Sequence, residues 1–153
     1  MTIGFRQIIA ELSSHAQALG VFDRVGLHEP ANAPGNGLQL AFWVDRVRPT
    51  PQTSGLASTS AVVIVQARMT TTLDAEPADD IDAVLMDALD LYLASLHADF
   101  ELSGAAMAVD LLGLSKVEQL RAEAGYLQQQ GQQFRAYMVW IPVLVADAWS
   151  QSP

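Results

Sequence analysis

Residues 79–98, DDIDAVLMDALDLYLASLHA, decide the fold because they predict a long amphipathic helix. Asp79 occupies an N-cap position, and the carboxylates of Asp79, Asp80 and Asp82 would lie at the positive end of the helix dipole, where negative charge is favoured. The apolar side chains recur at spacings of three and four: Ile81, Val84, Leu85, Ala88, Leu89, Tyr92, Leu93 and Leu96. Such a stripe must be buried against other elements, which the rest of the chain has to supply.

A second helix is predicted near the start of the chain, between Thr2 and Gly20. Its apolar stripe consists of Phe5, Ile8, Ile9, Leu12, Ala16 and Leu19. Thr2 is placed to cap its beginning, and Gly20 is typical of a helix end.

Three strands are predicted between the two helices, over residues 21–28, 38–48 and 61–73. Residues 29–37 are rich in proline, glycine and asparagine and indicate a loop. Residues 49–60, PTPQTSGLASTS, contain two prolines and little to bury, so they predict a 12-residue tip joining the second and third strands into a hairpin.

The last third of the chain favours β-structure. Residues 106–112 predict a strand, whereas residues 116–125 fit either a helix turn or a strand. Residues 126–145 predict a hairpin that turns at Gly131, with Val139, Ile141, Val143 and Val145 on one face. Pro142 has no amide N–H, which predicts an edge strand or a bulge there.

The fold class that follows is α+β, a mostly antiparallel sheet packed by two main helices, with a long-tipped β-hairpin. Residues 1–153 are expected to form a single domain, because the length suits one domain and no linker or repeat interrupts it.

Charge and composition narrow the function classes. The chain has 17 acidic and 8 basic residues, a formal net charge of −9, 50% hydrophobic residues and no cysteine. Nine acids lie between Asp74 and Glu101, whereas no lysine or arginine lies between Arg68 and Lys116. We therefore expect no specific nucleic-acid binding and no binding to anionic membranes, because both require a basic surface. No apolar run is long enough to cross a bilayer, and the first residues do not resemble a signal peptide.

No catalytic residue, metal site or cofactor is predicted. The chain contains no recognisable nucleophile, zinc, dinucleotide or phosphate-loop motif. His97, Asp99 and Glu101 superficially resemble a ligand set, but their two-residue spacing spreads them around a helix end. The acidic run from Asp74 lacks the glycine and the final glutamate of a calcium-binding loop.

Several short segments resemble bacteriophage tail terminator (tail completion) proteins, and together they span most of the chain. They are residues 81–100, Gly104, residues 108–112 (AVDLL), Ala124-Gly125-Tyr126, Gln130-Gly131, Phe134-Arg135-Ala136-Tyr137, Ile141-Pro142-Val143, Asp147 and Trp149. The resemblance implies a non-catalytic virion protein at the head-proximal end of the tail, assembled in the host cytoplasm. It would form a ring of six copies that caps the finished tail tube, ends tube polymerisation and meets the head–tail connector.

Two groups of residues are candidates for this role. The first is an interface with neighbouring subunits or the tube, formed by the hairpin tip and a tryptophan expected beyond the last strand: Pro49, Thr50, Pro51, Gln52, Thr53, Ser54, Gly55, Leu56 and Trp149. The second is an acidic surface or ring lumen that would repel passing DNA: Asp74, Glu76, Asp79 and Asp80. A mobile hairpin tip and acids that only maintain solubility are the alternatives.

Two other functions remain open. One is a different neck or head–tail connector protein. The other is a small cytosolic ligand-binding domain or enzyme subunit that uses the region around Trp43 and Trp140.

Overall fold

The structure, a computed structural model, describes residues 2–152. Two α-helices and six β-strands follow one another in this part of the chain: α1 (Phe5–Leu19), β1 (Arg24–Gly26), β2 (Gln39–Thr50), β3 (Ser58–Thr72), α2 (Ile81–Ala98), β4 (Ala108–Val109), β5 (Arg121–Gln129) and β6 (Gln132–Ser150). Short 3₁₀ turns lie at Ala78–Asp80 and Leu102–Gly104.

The strands form one sheet in the order β1-β2-β3-β6-β4, and β5 also pairs with β6. The β1–β2 pair is parallel and the other pairs are antiparallel. The predicted α+β class, with a mostly antiparallel sheet and two main helices, is therefore confirmed. β3 and β6 lie at the centre and pair along almost the whole length of β3.

Both helices contribute to the same hydrophobic core as the sheet. The predicted stripe of α2 is buried at Leu85, Ala88, Leu89, Tyr92 and Leu96. The Tyr92 hydroxyl donates a hydrogen bond of 2.9 Å to the Leu12 carbonyl, which fastens α2 to α1. The predicted inward residues of β6, which run from Val139 to Val145 in steps of two, are also buried in this core. Hydrophobic periodicity located most of the core because burial is what the periodicity encodes, but Val84 of the predicted stripe is 47% exposed.

The opposite face of the sheet carries a smaller apolar cluster. Val62, Ile64 and Leu144 are buried there, and Val117 and Trp140 pack against them. Val117 belongs to the segment between β4 and β5, so this segment covers part of the second face.

The predicted helix caps are partly wrong. Gly4 precedes α1 in a left-handed conformation, and Thr2 does not cap the helix. The predicted N-cap of α2, Asp79, lies within the 3₁₀ turn at Ala78–Asp80. The N-cap position is therefore occupied by Asp80, whose side chain makes no capping hydrogen bond. Gly20 ends α1 with a φ of 68°, as predicted.

Several strand lengths differ from those predicted. Residues 21–28 contain only the three-residue β1, and residues 106–112 contain only the two-residue β4. Residues 116–120 are irregular, and β5 begins at Arg121, so the helical alternative for residues 116–125 is wrong. Short segments contain too few residues for an alternating pattern to fix their ends.

Pro142 lies in an interior strand, contrary to the prediction of an edge or bulge. It is opposite Ile64 in regular β3–β6 register. Its carbonyl accepts a hydrogen bond from the Asp110 amide on the other side of β6. On that side, β5 pairing ends at Trp140 and β4 pairing begins at Val143. The missing N–H therefore falls in the gap between two partner strands, where no ladder bond is lost.

The tip of the β2–β3 hairpin is shorter than predicted, since only residues 51–57 lie outside the strands. Pro49 is opposite Ala61 and Thr50 is opposite Ser60. The outer edge of β2 pairs with β1 only as far as Ala41, so Pro49 sits on a free edge where its missing N–H is tolerated. The hairpin is long because of its strands rather than its loop.

Candidate assembly surfaces

The β2–β3 hairpin and the end of β6 form an extension of the sheet that we call the arm, residues 44–60 and 146–150. All of residues 44–49 are exposed, and on one face Arg46 forms an ion pair with Glu118 of the segment before β5. β6 continues along β3 as far as the pair Ser58–Ser150, which makes the arm three-stranded.

A network of hydroxyl groups holds the end of the arm. The Ser60 hydroxyl accepts hydrogen bonds from the Thr53 hydroxyl (2.8 Å) and the Asp147 amide (3.1 Å) and donates to the Thr53 carbonyl (3.1 Å). The Ser60 amide donates to the Ser54 hydroxyl at 2.8 Å. These bonds give the polar tip residues an intramolecular structural role that the sequence did not reveal.

The candidate interface residues differ in accessibility. Thr50 is buried, and its hydroxyl donates to the Ser115 carbonyl at 2.7 Å. Gln52 and Ser54 are half-buried, whereas Pro49, Pro51, Thr53, Gly55 and Leu56 are exposed. Leu56 is 99% exposed at the tip.

Trp149 lies within β6 rather than beyond the last strand, because β6 extends to Ser150. It is opposite Thr59 of the arm and is 42% exposed. The structure therefore brings the predicted tryptophan and the predicted tip to the same end of the sheet.

Sequence reasoning missed two exposed leucines beside the arm. Leu112 and Leu114 are 78% and 76% exposed, in the loop that follows β4. Buried Asp110 shapes this loop by accepting hydrogen bonds of 2.8 Å from the amides of Leu114 and Ser115. The bond from Thr50 to Ser115 then ties the loop to the arm. The available signal was the sequence of residues 110–114, DLLGL, in which a glycine interrupts a leucine run after an aspartate. The apolar pattern of residues 106–112 instead predicts a strand.

The four candidate acidic residues lie at the opposite end of β3 from the arm. Asp74, Glu76, Asp79 and Asp80 are all exposed in the segment between β3 and α2. β3 has 15 residues and separates the hairpin tip, residues 51–57, from the acidic segment by about 50 Å, at roughly 3.3 Å per residue. The arm and the acidic segment are therefore two distinct surfaces.

Neighbouring Asp82 is held by an ion pair with β6. Arg135 Nε donates to Asp82 Oδ1 at 2.8 Å, and its Nη1 donates to the Gly125 carbonyl at 3.0 Å. The hydrogen bond from Arg135 lowers the pKa of Asp82 and raises that of Arg135. This pair connects the start of α2 to the sheet.

The histidines make local or interhelical contacts. His15 Nε2 lies 2.9 Å from Asp99 Oδ2, a partner 84 residues away that the sequence did not indicate. Asp99 also accepts a hydrogen bond from the Ser103 amide, the main reason that its pKa is lowered. His97 Nδ1 is bonded to the Leu93 carbonyl. Within residues 2–152, no cluster of three or more histidines and acids is arranged to hold a metal ion.

Trp43 and Trp140 lie on one face of the sheet, separated by Gln66. The Arg121 guanidinium carbon lies 3.9 Å from the centre of the Trp140 ring, and that of Arg68 lies 5.3 Å from the centre of the Trp43 ring. A cleft is present on the sheet beside β1, but neither tryptophan lines it.

No protein-family model matches the chain, and no curated protein is significantly similar to it. Among the described residues, no helix is both long and apolar enough to cross a membrane.

Proposed function

We propose that this protein is a structural subunit of a ring that caps a completed bacteriophage tail tube. In this role it ends tube polymerisation and forms the interface to the head–tail connector. The observation that carries the proposal is the arm, whose ordered end presents Leu56 and Trp149, with Leu112 and Leu114 beside it. Large exposed apolar side chains grouped at one end of a domain mark an interaction surface.

The position of the arm suits contact with a neighbouring copy or the tube. A surface that binds a different surface on the next copy generates a closed ring if the rotation closes, and a filament if it does not. A terminator needs the closed form, with one face that matches the tube and another that does not accept a further tube subunit. The arm and the acidic segment, at opposite ends of β3, are two chemically different surfaces that fit these requirements.

The acidic segment suits the passage of DNA. Carboxylates at Asp74, Glu76, Asp79 and Asp80 would repel phosphate and prevent DNA from adhering to the ring. Three of the seven arginines, Arg46, Arg121 and Arg135, are already paired with acids and contribute little free positive charge.

The test combines the protein with a purified tail tube protein encoded in the same genome. We expect electron microscopy to show rings at one end of each tube, and added protein to shorten the tubes. The double variant Leu56→Ser/Trp149→Ser should lose both effects and still fold. Leu27→Ser is the matched control because Leu27 is exposed outside the arm, after β1.

Two results would overturn the proposal. One is unchanged tube growth in the presence of folded wild-type protein. The other is equal capping by wild type and the double variant. A neck or connector protein, the nearest alternative, would bind the head–tail connector without limiting tube length.

A further inference from the structure

A cleft of about 120 Å³ lies between β1, the loop of residues 29–37 and the neighbouring ends of β2 and β3. Arg24, Gln39 and Thr70 are direct cross-strand neighbours, and so are Gly26, Ala41 and Arg68 two residues further along. All six line the cleft. Because Gly26 and Ala41 have little or no side chain, the surface beside Arg68 is left concave.

Arg68, which lines this cleft, also carries an unpaired donor. Its Nη2 atom is closed to solvent and has no hydrogen-bond partner among residues 2–152. Partial burial, which removes water from the guanidinium, lowers the pKa of Arg68. A buried guanidinium N–H without an acceptor is costly, and few such groups persist in folded proteins without a reason.

The contacts that Arg68 does make leave this donor unsatisfied. Its guanidinium lies 5.3 Å from the centre of the Trp43 ring, a cation–π contact that offers no acceptor in the plane of the N–H groups. The negative charge of Glu29 favours the charged form of Arg68 by electrostatic attraction. The two side chains nevertheless form no ion pair within 4.0 Å.

The second arginine of the cleft is also available. Arg24 is exposed at its edge and has no ion pair among the described residues. The chain has more than twice as many acids as bases, so two arginines without carboxylate partners on one concave surface are unexpected. Guanidinium groups match the oxygens of carboxylates and phosphates in geometry as well as charge.

We propose that this cleft binds a single oxyanion, a phosphate or carboxylate group, between Arg24 and Arg68. Gln39 and Thr70 supply further polar side chains on the cleft wall. The anion compensates the partly desolvated charge of Arg68 from the cleft side of the guanidinium, and Glu29 weakens its binding by charge repulsion. The proposal does not rest on the proposed function, because none of the residues of the cleft belongs to the arm.

The primary test measures binding of inorganic phosphate, and separately of acetate, by calorimetry and thermal melting at constant ionic strength. We expect phosphate to raise the melting temperature of the wild type through preferential binding to the folded state. Arg68→Gln should weaken phosphate binding at least tenfold, Arg24→Gln should weaken it several-fold, and Glu29→Gln should strengthen it. Arg6→Gln, which removes an exposed arginine from α1, is the matched control and should change nothing.

Stability separates an anion site from a merely structural arginine. Without the anion, Arg68→Gln should melt at or above the wild-type temperature, because it removes a partly buried charge with one unpaired N–H group. A structural arginine would instead lower the melting temperature when replaced. If Arg68→Gln does not fold, Arg24→Gln provides the same binding test at an exposed position.

Sedimentation separates the two sources of the oxyanion. If a carboxylate of a second copy occupies the cleft, Arg68→Gln and added phosphate should each weaken self-association, whereas a free anion leaves self-association unchanged. Weakened and unchanged self-association both support an oxyanion site in the cleft, provided that phosphate binding depends on Arg68. The proposal is overturned if the wild type binds neither anion up to about 20 mM, where a functional site should be occupied. Equal binding by the wild type and both arginine variants also overturns it.

Discussion

At the scale of single residues, buried Asp110 organises the loop beside the arm. Its two carboxylate oxygens each accept one backbone amide, from Leu114 and Ser115, and its own amide donates to Pro142 of β6. The loop is thereby fixed to the sheet while Leu112 and Leu114 face outward. A buried charged side chain thus supports an exposed apolar surface.

Replacing Asp110 should be costly. We expect Asp110→Ala to lower the free energy of unfolding by about 2–4 kcal/mol, because two backbone donors lose their acceptors in a largely buried site. Asp110→Asn should cost less, since its amide oxygen can still accept one of the two bonds. Urea unfolding measures both values, and a loss below about 1 kcal/mol for the alanine variant would contradict this role.

Asp99 should contribute to acid sensitivity. Its pKa is lowered in the folded protein, mainly by the Ser103 amide and also by the hydrogen bond with His15. A lowered carboxyl pKa stabilises the fold above the unfolded value of about 3.9, and this stabilisation is lost as the pH falls through the folded value.

We therefore expect unfolding measurements below about pH 4 to show a smaller loss of stability with falling pH for Asp99→Asn than for the wild type. Asp90→Asn, an exposed change in the same helix, is the control. An identical pH dependence for wild type and Asp99→Asn would rule out this contribution.

At the scale of elements, the arm depends on the Ser60 hydroxyl. This group is buried and joins the hairpin tip to β6 through Thr53 and Asp147. Asp147 has a φ of 52°, and the β3–β6 register shifts between Thr59 and Ala61. The hydroxyl therefore supplies a bond at the point where the regular ladder is interrupted.

Ser60→Ala should loosen the arm while the core remains intact. We expect amide hydrogen exchange of residues 51–60 to become about tenfold faster, the effect of losing roughly 1.4 kcal/mol of local stability. Exchange in α2 should not change. Ser150→Ala replaces an exposed serine of the same arm and serves as the control. Equal protection in both variants would show that the hydroxyl network does not hold the tip.

The sequence revealed the elements with long apolar repeats. Both helices, β3 and the inward residues of β6 were predicted correctly, because each repeats its pattern over several turns or pairs. The gap that accommodates Pro142 and the short arm tip were missed, because both depend on which strand lies alongside. Pairing partners are set by tertiary packing and leave little local signal.

The candidate surfaces were foreseen only in part. The sequence predicts the tip and Trp149 as interface residues. It does not show that they lie at the same end of the sheet, because this depends on the register between β3 and β6. The cleft was not foreseen, since Arg24 and Arg68 are 44 positions apart and become neighbours only through β2. Side chains brought together by non-consecutive strands cannot be recognised from local spacing.

At the scale of the whole molecule, negative charge is concentrated in one part of the chain. The acidic segment lies between β3 and α2, and the arm lies at the other end of β3. With a net charge of −9, the molecule as a whole repels polyanions. Unlike a DNA-binding protein, it should approach nucleic acid without holding it.

We accordingly expect that the protein does not retard duplex DNA in a gel shift at about 0.15 M salt. Binding at this salt concentration requires a basic surface that displaces counterions from several phosphates. Neutralising Asp74, Glu76, Asp79 and Asp80 to their amides should reduce the repulsion without creating a binding site. Retention of DNA by the wild type at this salt concentration would exclude a repelling role for the acidic segment.

The free outer edge of β2 limits how copies of this protein can associate. Beyond Ala41, no strand within residues 2–152 pairs with this edge, which carries Asp45, Arg46, Arg48 and Pro49. Charges and proline make such an edge a poor template for another strand. Copies are therefore protected from joining edge to edge into an amyloid-like fibre, and a crowded cell can accumulate the protein without seeding aggregates from its longest hairpin.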